Sequence, residues 1–265
     1  MDLRGAVVVV TGASSGIGQA TALRFARAGS RLVLAARRLD RLEALAGQIR
    51  DGGGEALAVR CDVTVPADVA ALVERTRDDL AGCDVLVNDA GVPGGGPFAA
   101  ASADQIERIV RVNLLGVLLV TKAFLPTMLE RGRGHVVNVA SLAGRFAIPG
   151  SAVYSATKHG VVAFSESLHY ELEGTGVRVT AVNPGLVSTE GFPQDHLDPR
   201  LVLPVERVAD AIVRVVRRGI APEHSIPRWV SPLQAFRVLT PPLYRWGVRR
   251  VRGAALATAR RRSSR

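Results

Sequence analysis

Short, apolar, β-branched runs recur along the chain, separated by longer stretches of helical periodicity. The runs cover residues 6–10, 31–36, 56–60, 84–88, 135–140 and 177–182. Amphipathic or buried stretches lie near 16–29, 39–50, 66–80, 102–131, 150–173 and 204–218. A short β-branched run bounded by turn residues reads as a strand, and apolar positions three and four apart read as a helix. The early repeat of about 25–30 residues is the βαβ rhythm of a parallel sheet. The runs are continuously apolar, which suits strands covered on both faces. Glycines such as Gly29, Gly52, Gly94 and Gly174 punctuate the elements. The pattern predicts an α/β fold, a doubly wound parallel sheet of about seven strands flanked by helices, with a seventh strand near 224–230. Residues 1–227 read as one domain, and 228–265 as a basic extension containing proline and aromatic residues.

Composition fits a large core: 48% of residues are hydrophobic and 22% charged, which excludes a disordered chain. Two cysteines, Cys61 and Cys83, exclude a disulfide scaffold and point to a reducing, cytoplasmic setting. No uninterrupted apolar run reaches ~18 residues, and the N-terminal run is too short for a signal peptide. The net charge of +10 is unevenly placed, because 228–265 hold ten arginines and no acidic residue. The rest of the chain is neutral, so the charge describes the extension and gives no reason to expect nucleic-acid binding. In that extension Trp229, Leu233, Phe236, Leu239, Leu243, Tyr244, Trp246, Val248 and Val251 alternate with arginines. Three readings stand: a helix lying on an anionic membrane surface, packing against the body as a lid or dimer contact, or a disordered tail past Gly253.

Chemistry concentrates at the ends of the strands. Thr11-Gly12-Ala13-Ser14-Ser15-Gly16-Ile17-Gly18 joins the first strand to the first helix. Gly12 allows a tight turn, Gly16 a close approach to a pyrophosphate, and Gly18 close packing of helix on sheet. The helix N-terminus then offers free N–H groups to an anion. Tyr154 and Lys158 are four apart and share one helical face. An ammonium beside a phenol favours the phenolate. Only two of the 34 basic residues are lysines, which gives Lys158 added weight. No histidine or cysteine spacing suggests a metal site.

The glycine spacing, Asn88-Asp89-Ala90-Gly91, Asn113, Ser141, Tyr154 with Lys158, and Pro184-Gly185 stand in an order that resembles the short-chain dehydrogenase/reductase family over residues 5–230. The resemblance implies a Rossmann-like fold and a nicotinamide cofactor. It implies catalysis by Asn113, Ser141, Tyr154 and Lys158. Tyr154 exchanges a proton with the substrate oxygen, Ser141 fixes that oxygen, and Asn113 holds a water linking Lys158 to solvent. Cofactor contacts are expected from Gly12, Ser14, Ser15, Gly16, Ile17, Gly18, Asp62, Val63, Asn88, Ala90, Gly91, Tyr154, Lys158, Pro184, Gly185, Val187 and Thr189. Arg37 and Arg38 follow the second strand where NAD-preferring members carry an acidic residue, so the expected cofactor is NADP(H). Ser15 replaces the basic residue of many NADP-preferring members, and Asp89 replaces a usual asparagine. A loop over 186–204 with Phe192, Pro193, His196, Leu197 and Leu201, together with Pro93, Leu142, Phe146 and Ile148, suggests an apolar pocket for a lipophilic ketone or alcohol. The long helices at 102–131 and 150–173 resemble the family's dimer interface, so a homodimer or homotetramer is expected. Alternatives are a dehydratase or epimerase on the same scaffold, or a cofactor-binding regulator docked at a membrane without turnover.

Overall fold

The computed structural model of the chain describes residues 1–194 and 198–246. The expectations placed on His196, Leu197 and the segment from 247 onward lie outside the described residues. The chain divides into two compact units, Met1–Ile226 and Pro227–Arg265.

The first unit alternates strand and helix as the hydrophobic pattern requires. It begins with β1 (Val7–Thr11), α1 (Gly16–Arg27), β2 (Arg31–Ala36), α2 (Leu39–Asp51), β3 (Glu55–Arg60), α3 (Pro66–Leu80) and β4 (Val85–Asn88). It continues with α4 (Ala103–Val110), α5 (Gly116–Glu130), β5 (Gly134–Val139), α6 (Ala152–Glu171), β6 (Val177–Pro184), α7 (Val205–Arg218) and β7 (Glu223–Ile226). The seven strands form one parallel sheet in the order β3-β2-β1-β4-β5-β6-β7. The order reverses between β1 and β4, and a crevice opens at such a switch point beyond the strands' C-terminal ends.

Side chains alternate across each strand, so β1 feeds both cores. Val8 and Val10 pack with Phe25 of α1 and Ile212 of α7 on one face. Val7 and Val9 pack with Leu72 of α3 and Phe124 and Met128 of α5 on the other. The helical run Ala103–Glu130 is long and apolar enough by length and composition to cross a membrane. Here it packs against α3, β4 and β5.

The expected seventh strand over 224–230 is corrected to Glu223–Ile226. Pro227 has no N–H to donate to a ladder, and Arg228–Val230 turns as a 3₁₀ helix. In the second unit this turn leads into α8 (Ser231–Leu239).

Candidate active site

The β1–α1 loop is built for close approach. Gly12 has φ +71° and Gly16 φ +58°, values that favour glycine. A Cβ on Gly18 would stand 2.6 Å from the Gly12 carbonyl oxygen, so α1 starts directly against the loop. Ser15, the N-cap of α1, makes no side-chain cap, and the first turn carries no acidic residue. Unsatisfied N–H groups and the positive end of the helix dipole therefore face outward, as an anion requires.

They open into a cavity of about 490 Å³. Of the residues expected from the sequence, Gly12, Ser14, Ser15, Gly16, Ile17, Arg37, Arg38, Asp62, Val63, Ala90, Gly91 and Thr189 line it. Gly18, Asn88, Pro184, Gly185, Val187, Tyr154 and Lys158 are not part of that wall. Pro184 ends β6, and the Gly185 N–H donates to the Ile226 carbonyl at 2.8 Å. Val187 is buried and bridges to Leu203, while Thr189 stands over Gly16.

The Asn88 side chain turns into the core. Its Nδ2 donates to Thr121 Oγ1 at 3.0 Å and to Asn138 Oδ1 at 2.8 Å. Asn138 continues the chain to Ser165 at 2.9 Å. This polar ladder ties β4 and β5 to the helices behind them.

Ser141 follows β5, and its Oγ accepts the Ala143 N–H at 3.1 Å. A Cβ on Gly144 would lie 2.5 Å from the Lys158 carbonyl oxygen, so glycine lets this turn lie against α6. The Ser141 hydroxyl hydrogen-bonds the Tyr154 phenol. Lys158 is buried and donates to the Val139 carbonyl at 2.8 Å, with Nζ 5.8 Å from the centre of the Tyr154 ring. Thus Ser141, Tyr154 and Lys158 are brought together.

The expected depression of the phenol is not what the folded chain produces. Burial pushes Tyr154 up to about 12; the Ser141 hydrogen bond opposes this and the Asp89 charge adds to it. Burial also brings Lys158 down to about 8, against the pull of Asp89. Asp89 itself is raised to about 7 by burial, opposed by Lys158 and by a hydrogen bond from the Gly18 N–H.

Asn113 is fully buried in a π-turn (Arg111–Leu115) between α4 and α5. Its Oδ1 accepts the Val92 N–H at 2.8 Å, and its Nδ2 donates to the Val92 carbonyl at 2.9 Å. The side-chain amide is therefore engaged by the Val92 main chain, and Val92 lines the cavity.

At the cavity mouth, Arg37 is exposed and makes no hydrogen bond or ion pair with the described residues. Arg38 is committed: it donates to Ser14 Oγ at 3.1 Å, to Ser15 Oγ at 2.9 Å and to Glu190 Oε1 at 2.6 Å. Asp62 Oδ1 accepts the Thr64 N–H and hydroxyl at 2.9 and 2.8 Å, leaving Oδ2 for another donor. Partial burial works to raise that carboxyl, but the Thr64 bonds, Arg37 and Arg60 hold it below its ordinary value. Phe192 lies beside Tyr154, with ring centroids 5.8 Å apart and the planes tilted by 59°.

Sequence reasoning missed Arg108 and Glu190 on the wall. Glu190 follows Thr189 directly and is a lone acid beside a motif, which is a signal of sorts. Arg108 has none beyond its helical spacing to Val112.

The open helix end, the glycine cradle and the free Arg37 fit an anionic dinucleotide. Comparison with known proteins points the same way. A family model described as short chain dehydrogenase matches residues 6–198. The ketoacyl reductase HetN of Nostoc sp. is 36% identical over 219 residues, covering 81% of this chain and 76% of that one. A short chain dehydrogenase/reductase from Burkholderia phymatum, solved with NAD, superposes with a TM-score of 0.84 at 28% identity, covering 92% of this chain and 96% of its own. A short-chain dehydrogenase from Sphingobium yanoikuyae, solved with NADPH, gives 0.78 at 36%, covering 89% and 96%. A seven-stranded sheet wound in this order, with the matched motifs at its carboxyl edge, has one consistent placement: the chain belongs to the short-chain dehydrogenase/reductase family.

Proposed function

We propose that this oxidoreductase transfers a hydride between NADP(H) and a carbonyl or secondary alcohol, with a lipophilic ketone as the preferred class of substrate. One observation carries the cofactor choice: β2 ends in Ala36 with two guanidiniums behind it and no carboxylate. An unengaged guanidinium matches a 2′-phosphate in charge and geometry. That assignment rests on Arg37, because Arg38 already ties Ser14 and Ser15 to Glu190. The NADPH in a solved relative and the ketoacyl reductase among the curated ones support the reading.

The bound cofactor would supply the hydride and, when oxidised, a positive ring. The chain's residues do the rest. The β1–α1 loop and Arg37 hold the phosphates. Ser141 holds the substrate oxygen. Tyr154, kept protonated by burial, gives its proton to that oxygen in reduction and takes one back in oxidation. Lys158 supplies a buried positive charge behind the phenol. Phe192 closes the apolar side of the pocket over Tyr154.

Fluorescence titration of NADPH and NADH with wild type and Arg37→Ala tests the cofactor. Loss of the contact should weaken NADPH by about tenfold to a hundredfold and leave NADH unchanged. Tyr154→Phe should retain NADPH binding and lose about 10²–10⁴-fold in turnover on an accepted ketone. Equal binding of both cofactors in both proteins, or full activity of Tyr154→Phe, defeats the proposal.

We also propose a cytoplasmic homo-oligomer. Exposed Val110, Leu115, Leu129 and Tyr170 on the α4–α5 run and α6 support pairing with a second copy, which sedimentation velocity reads directly. The exposed Trp229, Val238, Leu239 and Leu243, in a segment whose charges are all positive, support contact with an anionic membrane surface. Sedimentation with anionic against neutral vesicles tests that contact.

A further inference from the structure

Asp89 stands where the family resemblance leads one to expect an amide, and its surroundings explain what a carboxyl does there. It lines the cavity one residue before Ala90 and Gly91. Its N–H donates to Thr11 Oγ1 at 3.1 Å, which fixes the main chain. Its Oδ2 lies 2.8 Å from the position a Cβ on Gly18 would take, and the carboxyl accepts the Gly18 N–H. The acid therefore occupies one of the free donors at the N-terminus of α1, the same helix end that the site offers to phosphates.

The charged and titratable groups that face it are few. From α6 come Lys158 and the Tyr154 phenol. The α1 first turn contributes N–H groups and no acid, and β1 contributes the Thr11 hydroxyl. Arg37, Arg38, Asp62, Arg108 and Glu190 sit elsewhere on the wall. Lys158 spends a donor on the Val139 carbonyl, and among the described residues no ion pair reaches Asp89.

A carboxylate so placed meets the dinucleotide phosphates as a like charge. A carboxylic acid does not: its carbonyl oxygen still accepts from Gly18, and its O–H becomes a donor, as an amide N–H would be. We propose, resting on the NADP(H) reading, that Asp89 is a cofactor-positioning residue that works as the neutral acid, so that cofactor binding takes up one proton from solvent at its carboxyl. Burial already holds the group near the protonated form, at about 7. Neutralising it also removes a charge that pushes the Tyr154 phenol upward. Binding at one end of the site thus eases proton exchange at the other.

The sign follows from linkage. Binding that raises a carboxyl's pKa is independent of pH below the free-state value and weakens as pH rises through it. The test is NADPH titration by fluorescence from pH 6 to 9 with the full-length wild type, Asp89→Asn and Asp89→Ser. Calorimetry at pH 7.5 in buffers of different ionisation heat counts the protons. The 2′-phosphate titrates near ~6 in all three proteins, so the difference between them carries the inference. Between pH 6.5 and 8.5, wild type should weaken about 10- to 30-fold more than either variant. It should also take up more protons than either. Parallel pH curves and equal proton counts overturn the role of Asp89 while leaving the cofactor reading intact. Failure of all three proteins to bind NADPH overturns the cofactor reading and this inference with it.

Discussion

Replacing Asn113 by alanine tests how the cavity wall is held. The side chain is completely buried and makes two hydrogen bonds to one residue, 2.8 Å from the Val92 N–H and 2.9 Å to the Val92 carbonyl. Alanine leaves both main-chain groups unpaired and opens a small void. Each buried polar group left without a partner costs about 1–3 kcal/mol. Water entering the polar void recovers part of this, so a net loss of about 3 kcal/mol is expected. For a chain of this size that lowers the melting temperature by roughly 6–12 °C. The midpoint of urea unfolding, with thermal melts alongside, measures it. Asn113→Asp sharpens the test. One carboxylate oxygen still accepts from the Val92 N–H, but the other faces the Val92 carbonyl and is tolerated only when protonated. Its folded-state pKa is therefore raised, and the variant should be near wild type below pH 4 and progressively less stable above it. NADPH affinity should fall in both variants at pH 8, because Val92 and Pro93 line the cavity. An alanine variant within 0.5 kcal/mol of wild type, taking ~0.5 kcal/mol as the scatter of surface substitutions, or an aspartate variant whose deficit relative to wild type is the same at pH 5 and pH 8, would refute the reasoning.

Two other perturbations follow from the same packing. Gly18→Ala places a Cβ 2.6 Å from the Gly12 carbonyl oxygen and 2.8 Å from Asp89 Oδ2. The strain should cost about 1–3 kcal/mol in urea unfolding, with weaker NADPH binding by titration. His135 is buried at the start of β5, and Thr180 Oγ1, which donates to the Ile220 carbonyl, accepts from its Nε2 at 2.8 Å. Burial lowers its pKa from 6.5 to about 3, so the folded chain holds it neutral while the unfolded chain protonates it. Stability should therefore fall by about 2 kcal/mol between pH 7 and pH 5, and His135→Gln should lose that part of the slope.

What the sequence made legible was mostly local. The boundaries of the first five strands came within a residue because β-branched runs bounded by turn residues leave little freedom. Tyr154 and Lys158 lie one helical turn apart, so their shared face follows from spacing alone. The β7 end was lost because Trp229 and Val230 look like strand residues, while Pro227 and the 3₁₀ turn after it decide otherwise. The direction of the Asn88 side chain has no local signature, because it points inward to Asn138, 50 residues away in sequence. Asn113 was placed in the right element, yet the π-turn rotates its amide onto Val92. The Arg38–Glu190 contact joins residues 152 apart in sequence and has no local signature. The family resemblance named residues that line one cavity, and the side-chain directions within it came only from the fold.

Those directions change the account of the proton donor. A lysine beside a tyrosine suggests a phenol made acidic by its neighbour. In the folded chain the phenol is held up to about 12, first by burial and then by Asp89. Lys158 reaches the Val139 carbonyl and sits 5.8 Å from the ring centre. The protein by itself therefore keeps Tyr154 loaded with its proton, which is the form reduction of a carbonyl consumes. Oxidation of an alcohol needs the phenolate, and the chain's own groups resist that form. Burial brings Lys158 down and Asp89 up, and each opposes the shift of the other, so their charges are coupled. The acid–base balance of the site is thus set by three buried groups together, and Asp89 is the one whose charge a substitution to asparagine removes while preserving its shape.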